Sequence, residues 1–200
     1  DWTLSRGLGD VYKRQGQVNI GSKVAVVGAG GIGFDVAEFL VSGNYRDGNF
    51  QPLPEWMTEW GIGDPELFRG GLLANGSSPK QAKRKVYLLQ RKAQKMGKNL
   101  GKTTGWIHRT ALKKRGVQMV SGVTYHSICD HGLYISRDDG KETPELLEVD
   151  NVVLCAGQIS NSDLYNDLKS SGFDCHLIGG AKHADELDAK RAIDQGTRLA

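Results

Sequence analysis

Lys23-Val24-Ala25-Val26-Val27 runs without a break into Gly28-Ala29-Gly30-Gly31-Ile32-Gly33, and this stretch decides the fold. Its first five residues are β-branched and continuously apolar, the pattern of a strand buried on both faces. Ile32, Val36, Phe39 and Leu40 then recur at helical spacing, so a helix opens inside the glycine stretch. Gly28, Gly30 and Gly33 hold the G-x-G-x-x-G spacing at this strand-to-helix turn. The first glycine permits the tight turn, the second lets backbone approach a pyrophosphate, and the third lets helix pack on strand. Unpaired N–H groups and the positive dipole end of the helix then face the phosphates. A glycine-rich turn with no ligand is the competing reading, and the strand–turn–helix context argues against it.

Working outward, Lys85-Val86-Tyr87-Leu88-Leu89-Gln90 reads as a second strand, followed by a basic loop carrying Arg91, Lys92, Lys95, Lys98 and Lys102. Thr104 to Arg115 reads as a helix with Ile107 and Leu112 on its apolar face, stopped by Gly116. Val117 to Val120 is a third strand. Residues 122–149 read as an antiparallel meander (Val123–Ile128, Leu133–Ser136, Leu146–Val149), with Asp138-Asp139-Gly140 as a turn. Asn151-Val152-Val153-Leu154-Cys155 returns as a buried parallel strand ending in Ala156-Gly157. The whole is an α/β, Rossmann-like doubly wound pattern with an antiparallel meander. Residues 42–80, rich in Gly, Asn, Pro and Ser, are too long for a simple connection and read as an insertion. Within it Glu55 to Trp60 is expected to form a turn of helix that tucks Trp56 and Trp60 onto the domain. The tail, 158–200, changes character. His176 to Gly180 reads as a further short strand, and Leu187 to Leu199 as a helix with Leu187, Ala189, Ala192 and Ile193 on one side.

Composition narrows the function. The 200 residues carry 26 Lys+Arg against 23 Asp+Glu, a formal net charge of +3. That is too little to argue for nucleic acid or an anionic membrane surface. No run approaches the ~18–20 apolar residues of a membrane span. Cys129, Cys155 and Cys175 are odd in number and widely spaced, which fits neither a disulfide scaffold nor a metal or iron–sulfur site. They read as bystander thiols of a reducing, cytoplasmic compartment. His108, His126, His131, His176 and His183 share no ligand spacing, and no serine sits in a nucleophile elbow. Gly97 to Thr103 imitates a phosphate-binding loop but has three residues between its glycines where four are needed. No catalytic acid–base pair and no metal site are expected in this chain.

Residues 1–15 show neither helical nor strand periodicity and lack the apolar core of a signal peptide. Asp10-Val11-Tyr12-Lys13-Arg14-Gln15 matches, codon by codon, the mosaic end of a sequencing transposase. These residues are expected to be adapter-derived and the remainder, 16–200, to be a fragment starting within a gene.

Cofactor choice is read at the end of the second strand, where an NAD-binding chain tends to place a carboxylate for the ribose 2′-hydroxyl. Here the strand ends in Gln90-Arg91-Lys92. No carboxylate repels a 2′-phosphate there, and two cations stand ready to bind one. NADPH is therefore expected over NADH.

These residues together resemble a known family, the bacterial NADPH-dependent 2,4-dienoyl-CoA reductases within the old-yellow-enzyme and trimethylamine-dehydrogenase-like flavoproteins. The likeness is carried by Lys23 to Asp35, Leu88 to Lys92, Leu100 to Thr110, Val152 to Gln158, His176 to Gly180 and Glu186 to Ala200. The resemblance implies a flavin-bearing barrel, an iron–sulfur linker and two interleaved Rossmann-like domains for FAD and NADPH. Electrons would pass from NADPH to FAD, through a 4Fe-4S cluster to FMN, and on to a dienoyl-CoA of unsaturated fatty acid β-oxidation. It further implies that residues 16–156 are the NADPH domain and 157–200 the C-terminal end of the FAD domain. Gly28, Gly30, Gly31, Ile32 and Gly33 would hold the NADPH pyrophosphate, and Arg91 and Lys92 its 2′-phosphate. Gly157, Gly179, Gly180 and Leu187 would form a partial FAD site, with Gly180 standing where relatives place an Asp. FMN, the cluster and the barrel would lie in an N-terminal region outside this sequence, which would be the chain's partner. The fragment alone would then be inactive.

Overall fold

The computed structural model describes residues 19–42, 52–78, 80–137, 142–184 and 189–200. The adapter-like residues 1–15, the turn at 138–140 and Leu187 lie outside the described residues.

Strand β1 (Lys23–Val27) sits second from one edge of a four-stranded parallel sheet. Its partners are β2 (Lys85–Gln90) and β7 (Asn151–Leu154), and β3 (Gln118–Ser121) lies outside β2, giving the order β3-β2-β1-β7. All three pairings are parallel, with Val27 opposite Leu89 on one side and Leu154 on the other. Alternation decides which layer each residue joins. Val24, Val26, Val86 and Leu88 face α1 (Gly31–Ser42), where Phe34, Val36, Ala37 and Leu40 pack, together with Leu112 of α3 (Gly105–Lys114). Ala25, Val27, Tyr87 and Leu89 face the opposite way. A three-stranded antiparallel sheet covers them: β4 (Thr124–Cys129), β5 (Gly132–Ser136) and β6 (Glu145–Glu148). Val123, Leu133, Ile135 and Leu147 complete that second core. Burial on both faces explains the continuous apolar runs of β1 and β2, each such side chain contributing ~1.5–3 kcal/mol.

Asp150 fastens the lower end of the sheet. Its Oδ2 accepts the Lys23 backbone N–H at 2.8 Å and the Ser22 hydroxyl at 3.1 Å. The Lys23 N–H chiefly, with help from Ser22, holds this carboxyl below its ordinary value of 3.8.

The segment 42–80 carries the expected helix, α2 (Leu53–Trp60), longer than the turn expected at 55–60 because Pro54 favours an earlier start. Trp60 lies under the Lys114 ammonium, 5.0 Å from its ring centroid, whereas Trp56 stays largely exposed. Arg115 makes the stronger tie: it pairs with the buried Glu59 carboxylate at 2.6 Å and reaches the Ser42 hydroxyl.

The chain divides into two compact units, one ending at Ala156 and the other Gly157–Ala200. The second unit holds α4 (Asp163–Ser170), a short turn α5 (Gly179–Lys182) and α6 (Ala189–Leu199). Two expectations need correcting here. Residues 176–180 form no strand: Ile178 is extended, at φ −133° and ψ 166°, but finds no ladder partner among the described residues. The chain then turns helical at Gly179. The face of α6 also differs, because Ala192 and Gly196 pack near Gly179 and Ile178 while Ile193 is 66% exposed. Ile107 of α3 likewise stays partly exposed, and Ala111 takes its expected place in the buried face.

Candidate functional site

The glycine turn lies at the carboxyl end of β1, where the chain has left for β2 on one side and later returns as β7 on the other. Open α/β sheets bind their ligands at such a switch point. Gly28 is held between both neighbours. Its N–H donates to the Leu89 carbonyl at 2.9 Å, and a Cβ there would lie 2.7 Å from the Cys155 carbonyl oxygen. Its φ of +110° also favours glycine. Gly33 is more constrained, since a Cβ would stand 1.8 Å from the Gly28 carbonyl oxygen. The helix therefore touches the turn directly.

Gly30 and Gly31 differ from these two. A Cβ at either would meet nothing within 4 Å, so their backbone faces open space. The Gly30 carbonyl accepts the Phe34 N–H at 3.1 Å, which starts the helix. The N–H groups of the first turn thus have no partner within the helix and point outward with its positive end. Ile32, 52% exposed, flanks that opening.

Arg91 and Lys92 follow β2 at the same end of the sheet and are exposed. Gln90 shapes their turn: its Nε2 donates to the Lys92 carbonyl at 2.7 Å and to the Gln94 carbonyl at 3.0 Å. Sequence reasoning missed this role, although a strand-end amide before a basic loop was visible. It missed Tyr125 too. The Gln90 carbonyl accepts the Val123 N–H at 3.0 Å, and this brings the start of β4 beside Arg91. Burial pushes the Tyr125 phenol up to about 12, with the Arg91 charge pulling the other way.

The loop resembling a phosphate-binding loop serves packing. Gly97, at φ +66°, sits against Phe34 and Leu100, and its carbonyl accepts the Arg109 guanidinium at 3.1 Å. The structure thus brings Gly28, Gly30, Gly31, Ile32, Gly33, Arg91 and Lys92 to one sheet end. Gly157, Gly179 and Gly180 belong to the second unit. Gly157, at φ +80°, faces open space; the Gly179 N–H donates to the Gln195 side chain at 2.7 Å, and Gly180 follows it in the short turn. No group of three His, Cys, Asp or Glu is placed to hold a metal, and no helix is long and apolar enough to cross a membrane, among the described residues.

Comparison with known proteins bears on the fold and the family. A metal reductase of Desulforamulus reducens is 26% identical over 166 residues, covering 83% of this chain and 23% of its own length. Among solved structures, a 2-naphthoyl-CoA reductase bound to 2-naphthoyl-CoA superposes with a TM-score of 0.60 at 20% identity, over 94% of this chain and 22% of its own. Histamine dehydrogenase from Rhizobium sp. 4-9 superposes with a TM-score of 0.57 at 17% identity, over 90% of this chain and 23% of its own. The chain spans about a quarter of the length of each of these proteins, and at such identities the two structures share its fold. The profile of one family of flavin-dependent oxidoreductases covers residues 6–189, and on that match the chain belongs to the pyridine nucleotide-disulphide oxidoreductases.

Proposed function

We propose that this chain is the NADPH-binding part, with a partial FAD site, of a flavin-dependent oxidoreductase of the 2,4-dienoyl-CoA reductase type. One observation carries the reading: the open backbone at Gly30 and Gly31 and the two cations of Arg91 and Lys92 share one end of the sheet. The residues fit NADPH. Outward N–H groups at Gly30 to Gly33 suit a pyrophosphate, and Arg91 and Lys92 suit a 2′-phosphate without a competing carboxylate. When bound, NADPH supplies a hydride to a flavin. The chain's own work is to bind and orient: the turn fixes the pyrophosphate, the Gln90 amide fixes the loop, and the cations select the phosphorylated ribose.

In this reading residues 16–156 form the NADPH domain and 157–200 the end of an FAD domain. Gly157, Gly180 and Leu187, with the positive end of the last helix, would meet the FAD. FMN and a 4Fe-4S cluster would be held by a region outside this sequence. The dienoyl-CoA assignment rests on the likeness of residues 100–110 and 186–200. A second reading, an NADP(H)-binding module without FAD, is favoured by the Gly179 N–H, which is engaged by Gln195.

Arg91→Glu is the test. Calorimetric titration should show NADPH affinity falling by roughly tenfold or more, on the scale of one charge-assisted contact, with NADH affinity unchanged. Equal losses for both nucleotides would remove Arg91 from the 2′-phosphate site. Flavin absorbance of the purified chain after FAD addition separates the two readings.

A further inference from the structure

Arg91 and Tyr125 stand out among the polar groups at this end of the sheet. Arg91 follows Gln90, the last residue of β2, and stands two positions beyond Leu89, which faces the antiparallel sheet. That sheet begins where the Val123 N–H bonds the Gln90 carbonyl, and Tyr125 follows two residues later on the same face as Val123. Val123 is fully buried, and the Tyr125 ring packs against the same apolar cluster while the residue stays half-buried. The Val123–Gln90 bond sets Tyr125 two residues from the strand end that Arg91 follows, and the Arg91 charge pulls the Tyr125 phenol down against the effect of its burial. Yet neither side chain has a hydrogen-bond or ion-pair partner among the described residues. The Tyr125 hydroxyl is not among the buried polar atoms left without a partner, so it stays open to solvent and to a ligand.

We propose that the Tyr125 hydroxyl and the Arg91 guanidinium together bind the 2′-phosphate of NADPH, which makes Tyr125 a specificity-determining residue of this chain. It deepens the NADPH reading above and rests on it. The chemistry is complementary. A guanidinium offers charge and a planar pair of donors, and a phenol adds one O–H donor to a phosphate oxygen. A carboxylate opposite Arg91 would instead cancel its charge. The phenol holds its proton throughout the physiological range, as any tyrosine does near its ordinary value of 10, and burial only raises it further. It therefore stays a donor and never competes as an anion.

The experiment compares 2′,5′-ADP with 5′-AMP, two probes differing only in the 2′-phosphate, by calorimetric titration of the full chain. Tyr125→Phe keeps the packed ring and removes the hydroxyl. It should lower affinity for 2′,5′-ADP by five- to tenfold and leave 5′-AMP binding unchanged, which also reports that the site is folded. Arg91→Ala, run beside it, separates the two claims. If Arg91→Ala abolishes the preference for 2′,5′-ADP while Tyr125→Phe leaves it intact, the role of Tyr125 is overturned and the NADPH reading stands. If neither substitution alters the preference, or the unaltered chain has none, both fall. A loss in Tyr125→Phe with none in Arg91→Ala overturns the pairing of the two groups.

Discussion

Gly30 and Gly33 stand three residues apart on one turn and answer to different demands. Gly33 serves the fold, because a Cβ would overlap the Gly28 carbonyl oxygen at 1.8 Å and push the helix off the strand. Gly33→Ala should therefore destabilise the chain by about 3 kcal/mol, at the upper end of what overpacking costs. Gly30 has open space instead, so Gly30→Ala should leave thermal stability within ~0.5 kcal/mol of the parent. It should nevertheless weaken NADPH strongly if the proposed site is right, since the added methyl would fill the space that site leaves for the pyrophosphate. Thermal denaturation and nucleotide titration of the two variants check both halves. Similar stability losses in both would mean that Gly30 also supports the fold. At this scale the fold was legible in the sequence: the spacing of the glycines already marked the tight turn at Gly28 and the helix–strand contact at Gly33. Tyr125 was not legible, because its relation to Arg91 depends on two strands far apart in the chain coming together through Val123 and Gln90.

Elements were readable where both of their faces are covered. The runs of β1 and β2 are apolar because helices lie on one side and an antiparallel sheet on the other, whereas β7, expected to be buried, lies at the sheet edge with Leu154 40% exposed; the meander alternates because only one of its faces is covered. Residues 176–180 misled because an apolar run defines a strand only when a neighbouring strand supplies its hydrogen bonds. The 52–78 segment was legible as an insertion with a short helix near 55–60, but not in how it is anchored. Its anchor is a long-range ion pair that no periodicity reveals. Glu59 and Arg115 are 6% and 13% exposed, so their pairing is largely desolvated. Removing one partner of such a pair typically costs ~3–5 kcal/mol, whereas replacing both by apolar groups of similar size is often neutral. Arg115→Ala is accordingly expected to lower stability by about 3 kcal/mol, and Glu59→Met with Arg115→Met to recover most of it. Chemical denaturation of the single and double variants measures this. A double variant as unstable as the single one would show that the helix at 53–60 is anchored by the charges themselves.

At the scale of the whole molecule, the two units differ in what they bury. The first encloses two cores on opposite faces of a parallel sheet, with Val24, Ala25, Val26, Leu88 and Leu89 at essentially zero exposure. In the second, neither α4 nor α6 contributes a buried residue, and Leu164, Phe173 and Ile193 are 71%, 60% and 66% exposed. Those apolar side chains gain little from the hydrophobic effect, which leaves the ordering entropy of the 157–200 segment largely unopposed. Backbone amides of 163–170 and 189–199 should then exchange with solvent through opening that costs close to zero. Amides of β1 and β2 should exchange only on global unfolding. Hydrogen exchange followed by mass spectrometry resolves the segments. Adding NADPH should increase protection at residues 28–34 and 90–94 and leave 163–170 unchanged, because the proposed site lies wholly in the first unit. Protection of 163–170 equal to that of β1 in the free chain would show that the second unit is held by burial its own helices do not provide.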